Sequence, residues 1–342
     1  MATYSIDVAE AQPKTWVESA RILLIVRLLL FVLIAFVFAE SACELAIGLG
    51  DPPLYQADSR MEYMLQPSRT YHRFHNLFSV NQYGMRSDSF PPRKSKSNEL
   101  RVLVVGDSIV YGGVRIDQSR IATEILKRDL GREFGRPVVV GNASAKSWGP
   151  PNELAYLEQY GTLDADVVIL ELSSHDYADA PTFLPVVGIA SEYPDKKPRL
   201  AIQDLLESYI LPRYFHMKTM PAGIDKTGIK QAKSEQDIAE CREAERNFFS
   251  IVRQQHAKIV LVQHLSRPEI SGPYQPGYSA NQRVAKQEDV PYVDDADALR
   301  AQTRLGRDPF FAGDDLHLNE TGQIALAQTL QRAVELALTQ KQ

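Results

Sequence analysis

The sequence predicts a three-layer α/β domain with a central parallel sheet, preceded by one membrane-spanning helix. Three observations lead there. From Leu100 onward, short apolar runs alternate with amphipathic segments. Those runs are continuous rather than alternating, which marks strands covered by helices on both faces. Residues 22–39, ILLIVRLLLFVLIAFVFA, are apolar on all sides with a single charge, Arg27.

A helix of that length spans roughly 27 Å, close to the hydrocarbon core of a bilayer. Arg27 lies near one end, within snorkelling reach of the headgroups. Lys14, Arg21 and Arg27 lie on the N-terminal side. Glu40, Glu44, Asp51 and Asp58 follow the helix before the first basic residue, Arg60. That asymmetry puts residues 1–21 in the cytoplasm and the bulk of the chain outside. A cleaved signal peptide is the alternative, but the stretch before the apolar run is long for one and contains acids. Cys43 follows Glu40-Ser41-Ala42, a poor lipoprotein box, so an uncleaved anchor is preferred.

Residues 40–98 read as an accessory or linker region, irregular or short-stranded. They hold Pro52-Pro53, Pro91-Pro92 and the polar run 93–98. His72 and His75 form an HxxH there, without the helix or acidic companion that a metal site would need; a surface loop is the default. The main domain covers residues 99–342. Strands are predicted at Leu100–Val105, 137–141, 166–172, 258–263 and, shorter, 291–293. Helices are predicted at 121–130, ending at Gly131, and at 152–160, 202–210, 238–256 and 320–338. Residues 177–234, rich in Pro, Tyr and charge, interrupt the rhythm and read as an insertion over the strand ends.

The net charge of -5 argues against a nucleic-acid partner. Cys43 and Cys241 sit in no metal-type spacing and read as two unpaired thiols. There is no Gly-x-Ser-x-Gly elbow, no phosphate-binding Gly-x-x-x-x-Gly-Lys loop and no Gly-x-Gly-x-x-Gly, so neither an α/β-hydrolase arrangement nor nucleotide binding has support.

Ligands of doubly wound sheets bind beyond the carboxyl ends of the strands. The first strand ends at Gly106-Asp107-Ser108, the second at Asn142-Ala143-Ser144 and the third at Ser173-Ser174-His175-Asp176. Just before the last helix comes Asp314-Asp315-Leu316-His317. A serine hydroxyl needs a base to accept its proton. His317 can be that base, and Asp314, three residues earlier, can orient its ring. Backbone N–H groups after the first two strands, together with His175, are candidate donors to a tetrahedral oxyanion.

With these blocks the sequence resembles the SGNH, or GDSL-type, hydrolases. Gly106-Asp107-Ser108-Ile109 matches the first block. Asp314-x-x-His317, followed by Leu318-Asn319 and Gly322, matches the last. The resemblance runs from about Leu100 to the C-terminus and implies a flavodoxin-like sheet. It also implies Ser108 as nucleophile, His317 as base, Asp314 as orienting acid, and Ser108, Ser147 and His175 as oxyanion donors. Two blocks depart from the pattern. Ser147 stands where the oxyanion glycine is usual, and His175 where the asparagine amide is usual. A backbone N–H survives the first change but glycine's conformational freedom does not. A ring nitrogen can still donate after the second, although a polar core histidine is the plainer reading. Asp107 reads as a turn stabiliser, Trp148 as a packing residue, and His264 could also line the site.

The expected function is a serine esterase without metal or organic cofactor. It would remove an acyl group, acetyl first among them, from an envelope or exopolysaccharide glycan. It would be a single-pass protein of the bacterial inner membrane, held by residues 22–39 with its domain periplasmic or extracellular. Two alternatives stand beside it: a polysaccharide O-acetyltransferase using the same three residues, and a non-catalytic glycan-binding or assembly protein.

Overall fold

The computed structural model describes residues 14–214 and 234–339. Helix α1 (Lys14–Ser41) exposes its apolar side chains from Ile22 to Phe38. It is the one described helix long and apolar enough to cross a membrane, a property that signal sequences share. It runs into an irregular π-type turn, Ala42–Ile47, ended by Gly48 at φ 77°.

Two antiparallel hairpins follow: β1 (Tyr55–Asp58) with β2 (Glu62–Leu65), and β3 (Arg69–Arg73) with β4 (Asn76–Val80). The short strands expected in the accessory region are these two hairpins. Tyr55, Met61, Tyr63, Met64, Leu65, Phe78 and Phe90 are buried in the same core as one face of the main sheet. The HxxH falls on this hairpin, His72 on β3 and His75 in the turn. The polar run 93–98 is also tied down, because Lys94 pairs with Asp166 and the Arg93 carbonyl accepts from Arg101.

The main sheet has strands β5 (Leu100–Gly106), β6 (Val138–Ser144), β7 (Val167–Ser173), β8 (Lys258–His264) and β9 (Tyr292–Asp294). All are parallel, in the order β6-β5-β7-β8-β9. The helices, in chain order, are α2 (Ser108–Tyr111), α3 (Ala122–Phe134), α4 (Pro150–Tyr160), α5 (Ala201–Leu205), α6 (Leu211–Tyr214), α7 (Glu235–Gln254), α8 (Arg267–Ser271), α9 (Pro276–Gln287), α10 (Ala296–Arg304) and α11 (Glu320–Thr339). Alternating residues of each strand face opposite layers. Leu103, Leu170 and Leu261 pack on α4, α7 and α9; Val104, Ile169 and Val260 pack on α3, α10 and α11.

Three differences from expectation have physical causes. Helix α3 passes through Gly131 and stops at Gly135, whose φ of 58° closes the end. Burial of Ile125, Leu126 and Leu130 outweighs the ~1 kcal/mol cost of one interior glycine. The helix expected at 202–210 is α5 followed by a π-type turn, Leu206–Ile210. Helices α8, α9 and α10 went unread because their few buried positions are short or interrupted by polar residues. The last part of the insertion, residues 215–233, lies outside the described residues.

Carboxyls are buried between α4, α7 and the sheet. Glu153 and Glu245 both lie there, and Glu245 Oε2 has no hydrogen-bond partner. Burial pushes the Glu245 carboxyl up to about 8. It is neutral in the folded chain but ionised in the unfolded chain above about pH 4.5, so its contribution to stability shrinks as pH rises from about 4.5 towards 8. Glu245→Gln should come close to the wild type in unfolding free energy at pH 4. At pH 8 it should be more stable by on the order of 1–3 kcal/mol, read from denaturant melts at both pH values.

Candidate active site

Strand β5 is buried throughout and ends at Gly106. A Cβ there would lie 2.8 Å from Glu171 Oε2 and from Val110 Cγ2, so only glycine lets the chain turn this tightly against β7. Asp107 then caps α2, its Oδ1 accepting from the Ile109 N–H at 2.7 Å. This is the turn-stabilising role expected for Asp107, and it leaves Ser108 at the first position of α2, half-buried. Beyond α2 the loop is held by Arg86, a residue with no warning in the sequence. Its buried guanidinium donates to the carbonyls of Tyr111, Gly113 and Ile116 at 2.6–2.7 Å. It also stacks on Phe78 at 4.1 Å.

The loop before α11 comes to meet this turn. Asp314 Oδ1 accepts from the N–H groups of Leu316 and His317 at 2.8 and 2.9 Å. Its Oδ2 lies 2.8 Å from His317 Nδ1. His317 Nε2 lies 3.1 Å from Ser108 Oγ. Burial opposes charge on Asp314, but the two amides and the imidazole hold its carboxyl below the usual range. An ionised Asp314 keeps the proton on His317 Nδ1 and leaves Nε2 free to accept from Ser108. Ser108, Asp314 and His317 all line one cleft of about 1090 Å³.

His264 braces this loop from beneath. It is fully buried at the end of β8, with Nδ1 2.5 Å from Asp295 Oδ2 and Nε2 2.9 Å from the Leu316 carbonyl. Both ring nitrogens face acceptors, so satisfying both takes the imidazolium. Burial works against that charge, yet Asp295 and the Leu316 carbonyl outweigh it and raise the His264 pKa. Burial also raises the Asp295 carboxyl, so the pair retains a proton. Asp295 could have been found in the sequence, since it follows the carboxyl end of a strand as the other polar clusters do.

Ser147 and His175 stand where glycine and asparagine are expected from the resemblance. Ser147 adopts φ 53°, the left-handed conformation that its usual glycine would take freely. Its carbonyl lies 3.4 Å from the Tyr63 hydroxyl and its Oγ 3.5 Å from that of Tyr193. His175 turns Nε2 towards Asp176 Oδ1 at 3.0 Å and Asp107 Oδ2 at 3.6 Å. Among the described residues this trio alone gathers metal-type ligand atoms, all within 4.8 Å of one another. The ring lies at ion-pairing distance of both acids. Behind it, burial and the charges of Asp107 and Asp176 push the Glu171 carboxyl well up. Trp148 is buried against Tyr156, a packing residue. Cys43 and Cys241 are both free and buried.

The pattern of a strand-end serine facing an Asp-x-x-His from the far end of the chain is matched by a family model. The GDSL-like lipase/acylhydrolase model fits residues 104–325, more than half of the chain. The chain belongs to the GDSL-like lipase/acylhydrolase family. The activity of this family, hydrolysis of carboxylic esters, is thereby the activity class of the chain. No curated protein matches it. Among solved structures it is similar to an acetyl xylan esterase, at 14% identity and TM-score 0.43, covering 69% of this chain and 100% of that one. A two-domain esterase active on acetylated mannans matches at 15% identity and TM-score 0.43, over 71% of this chain and 50% of that one. The esterase EstA from Pseudoalteromonas sp. matches at 13% identity and TM-score 0.41, over 70% and 99%.

In this acylhydrolase, His264→Gln should lower kcat for a small soluble ester about tenfold with KM little changed, because Leu316 loses its charged donor and the His317 loop loosens. The pH dependence carries a sign. A raised folded pKa stabilises fully below about pH 6.5 and is lost as pH rises through the folded value. The loss of thermal stability in the variant should therefore be largest at pH 6 and shrink at pH 9.

Proposed function

We propose that this protein is a serine esterase that removes acyl groups, acetyl first among them, from an envelope or exopolysaccharide glycan while tethered to a membrane by α1. The observation that carries the reading is the file of hydrogen-bond distances from Asp314 through His317 to Ser108 Oγ on the wall of one cleft. Ser108 Oγ attacks the ester carbonyl as His317 Nε2 takes its proton. The tetrahedral intermediate collapses, and the same proton passes to the departing sugar hydroxyl. Water, activated by His317, then releases the acid from the acyl-enzyme. No step calls for a metal or an organic cofactor.

The N–H groups of Ser108 and Ser147 are our candidate oxyanion donors. The left-handed backbone of Ser147 supports keeping it in the glycine's role. His175, beside Asp107 and Asp176, is our candidate for the third donor. For the glycan, the cleft is large enough for several sugar units, and its wall mixes Tyr55, Tyr111 and Tyr209 with Arg73, Arg115 and Lys146. Burial lowers the Lys146 pKa.

A serine-directed fluorophosphonate should label the folded wild type and not Ser108→Ala. That variant should keep its fold and lose at least ~10³-fold in ester turnover. An unlabelled wild type would sink the mechanism. Acylated acceptor glycan appearing faster than free acid would turn the reading to a transferase, and undiminished biological function in Ser108→Ala to a binding role. For the third oxyanion donor, His175→Asn should stay within a few-fold of wild-type kcat while His175→Ala loses about 10²-fold.

A further inference from the structure

The end of α1 and the cleft are built from one another. Glu40, in the last turn of α1, accepts hydrogen bonds from the N–H groups of Ala201 and Ile202 at 2.6 and 3.0 Å. These are the first amides of α5, and Ala201 packs on Cys43 and Leu49. The turn of the β3–β4 hairpin joins the same junction, with Phe74 N–H donating to the Gly48 carbonyl at 2.8 Å. From this junction the segment 201–214 runs on as a wall of the cleft, contributing Gln203, Asp204, Glu207, Ser208 and Tyr209. Arg73 clamps it by pairing with Asp204 and donating to the Tyr209 hydroxyl at 3.1 Å.

The other side of this segment carries exposed apolar groups. Leu206 is 41% exposed and Tyr214 69%. Leu45 and Ile47, in the turn leading out of α1, are 73% and 41% exposed. Leu45 and Ile47 continue the apolar surface of α1 where the helix ends, and Leu206 and Tyr214 follow in the segment whose first amides Glu40 ties to that end. In water such a strip is costly, whereas at a bilayer surface it is the face that sinks among the headgroups. Tyrosines are enriched at that depth. Lys196, Lys197 and Arg199 line the cleft just before α5 and are exposed, as is Arg213 in α6. Lys196 pairs with Asp195 at 3.4 Å and Lys197 with Asp51 at 3.3 Å; with Arg199 and Arg213 these exposed cations are placed to meet the phosphates of anionic lipids.

We propose that residues 201–214 lie in the headgroup layer of the membrane that α1 crosses, and that the cleft takes an acylated glycan itself tethered to that membrane by a lipid, rather than a free polysaccharide. The inference rests on the esterase and membrane readings above. It gives the anchor a catalytic consequence. A substrate confined to the same surface meets the cleft at a high effective concentration, and the basic rim sits where the phosphate of a lipid linkage would lie.

The test uses the full chain in phosphatidylcholine–phosphatidylglycerol vesicles. Tyr214→Cys is labelled with nitrobenzoxadiazole; the native thiols are buried. Blue-shifted emission, quenched by a lipid-borne quencher, is expected, and a water-like, unquenched signal overturns the docking face. The same vesicles are offered an acetylated glycolipid, and its head sugar freed from lipid. The tethered ester should turn over with kcat/KM at least about tenfold higher, and Leu206→Glu should erase that advantage while leaving p-nitrophenyl acetate turnover unchanged. Equal turnover of the two esters overturns the tethered substrate. An immersed probe with no ester cleaved at all overturns the esterase reading, and the substrate with it, while the docking face stands.

Discussion

The contact between His317 and Ser108 joins groups 209 residues apart in the chain, and the rest of the site depends on keeping it at hydrogen-bond distance. No covalent link helps. The loop before α11 is instead pinned at many points. Asp314 folds it back on itself through two amides. His264 grips the Leu316 carbonyl from the end of β8. Asn319 donates to the carbonyls of Asp308 and Phe310 at 2.8 and 2.7 Å. Each bond is worth about 1 kcal/mol alone, but together they replace the entropy of a free loop with one geometry. On the opposite side Arg86 does the same for the loop after α2.

The floor beneath this contact is dry and acidic. Asp107, Glu171, Asp176 and Glu153 are all fully buried, and burial pushes each carboxyl upward. Burial disfavours the charged form of each, and the neighbouring acids add to this for Glu153, Glu171 and Asp176. Asp314 is the exception. Its amide donors and half-exposed position hold it ionised, and it is the carboxylate that faces His317. The surroundings thus push the buried acids up and Asp314 down, and Asp314 is the carboxylate placed where an imidazolium forms.

The N-terminal region adds a second dependency. The two hairpins, the exit turn of α1 and the segment 201–214 hold one another through Glu40, Gly48, Arg73 and Asp204. The hairpins bury their apolar side chains in the core of the main domain, whereas the exit turn and residues 201–205 pack on one another through Cys43, Leu49 and Ala201. The cleft is therefore walled by the elements that connect the domain to its apolar helix, which couples where the chain is held to what the site can reach.

The sequence by itself determined the sheet, the apolar helix and the three residues that meet at the cleft. Continuous apolar runs have one stable place, between two layers of helices, and polar clusters at strand ends mark where a ligand can sit. It also marked the two positions, 147 and 175, where the usual residues are replaced. Only the tertiary structure decided what those replacements do. Ser147 takes the left-handed backbone expected of glycine, and His175 turns to Asp107 and Asp176. The same holds for Arg86, for the His264–Asp295 pair and for the clamp of Arg73 on Asp204. Each is a polar side chain whose partner lies far away in sequence, and no local period records such a pairing. The burial of a region that read as irregular or short-stranded was hidden for the same reason: its tyrosines and methionines find their apolar partners on the face of a sheet formed later in the chain.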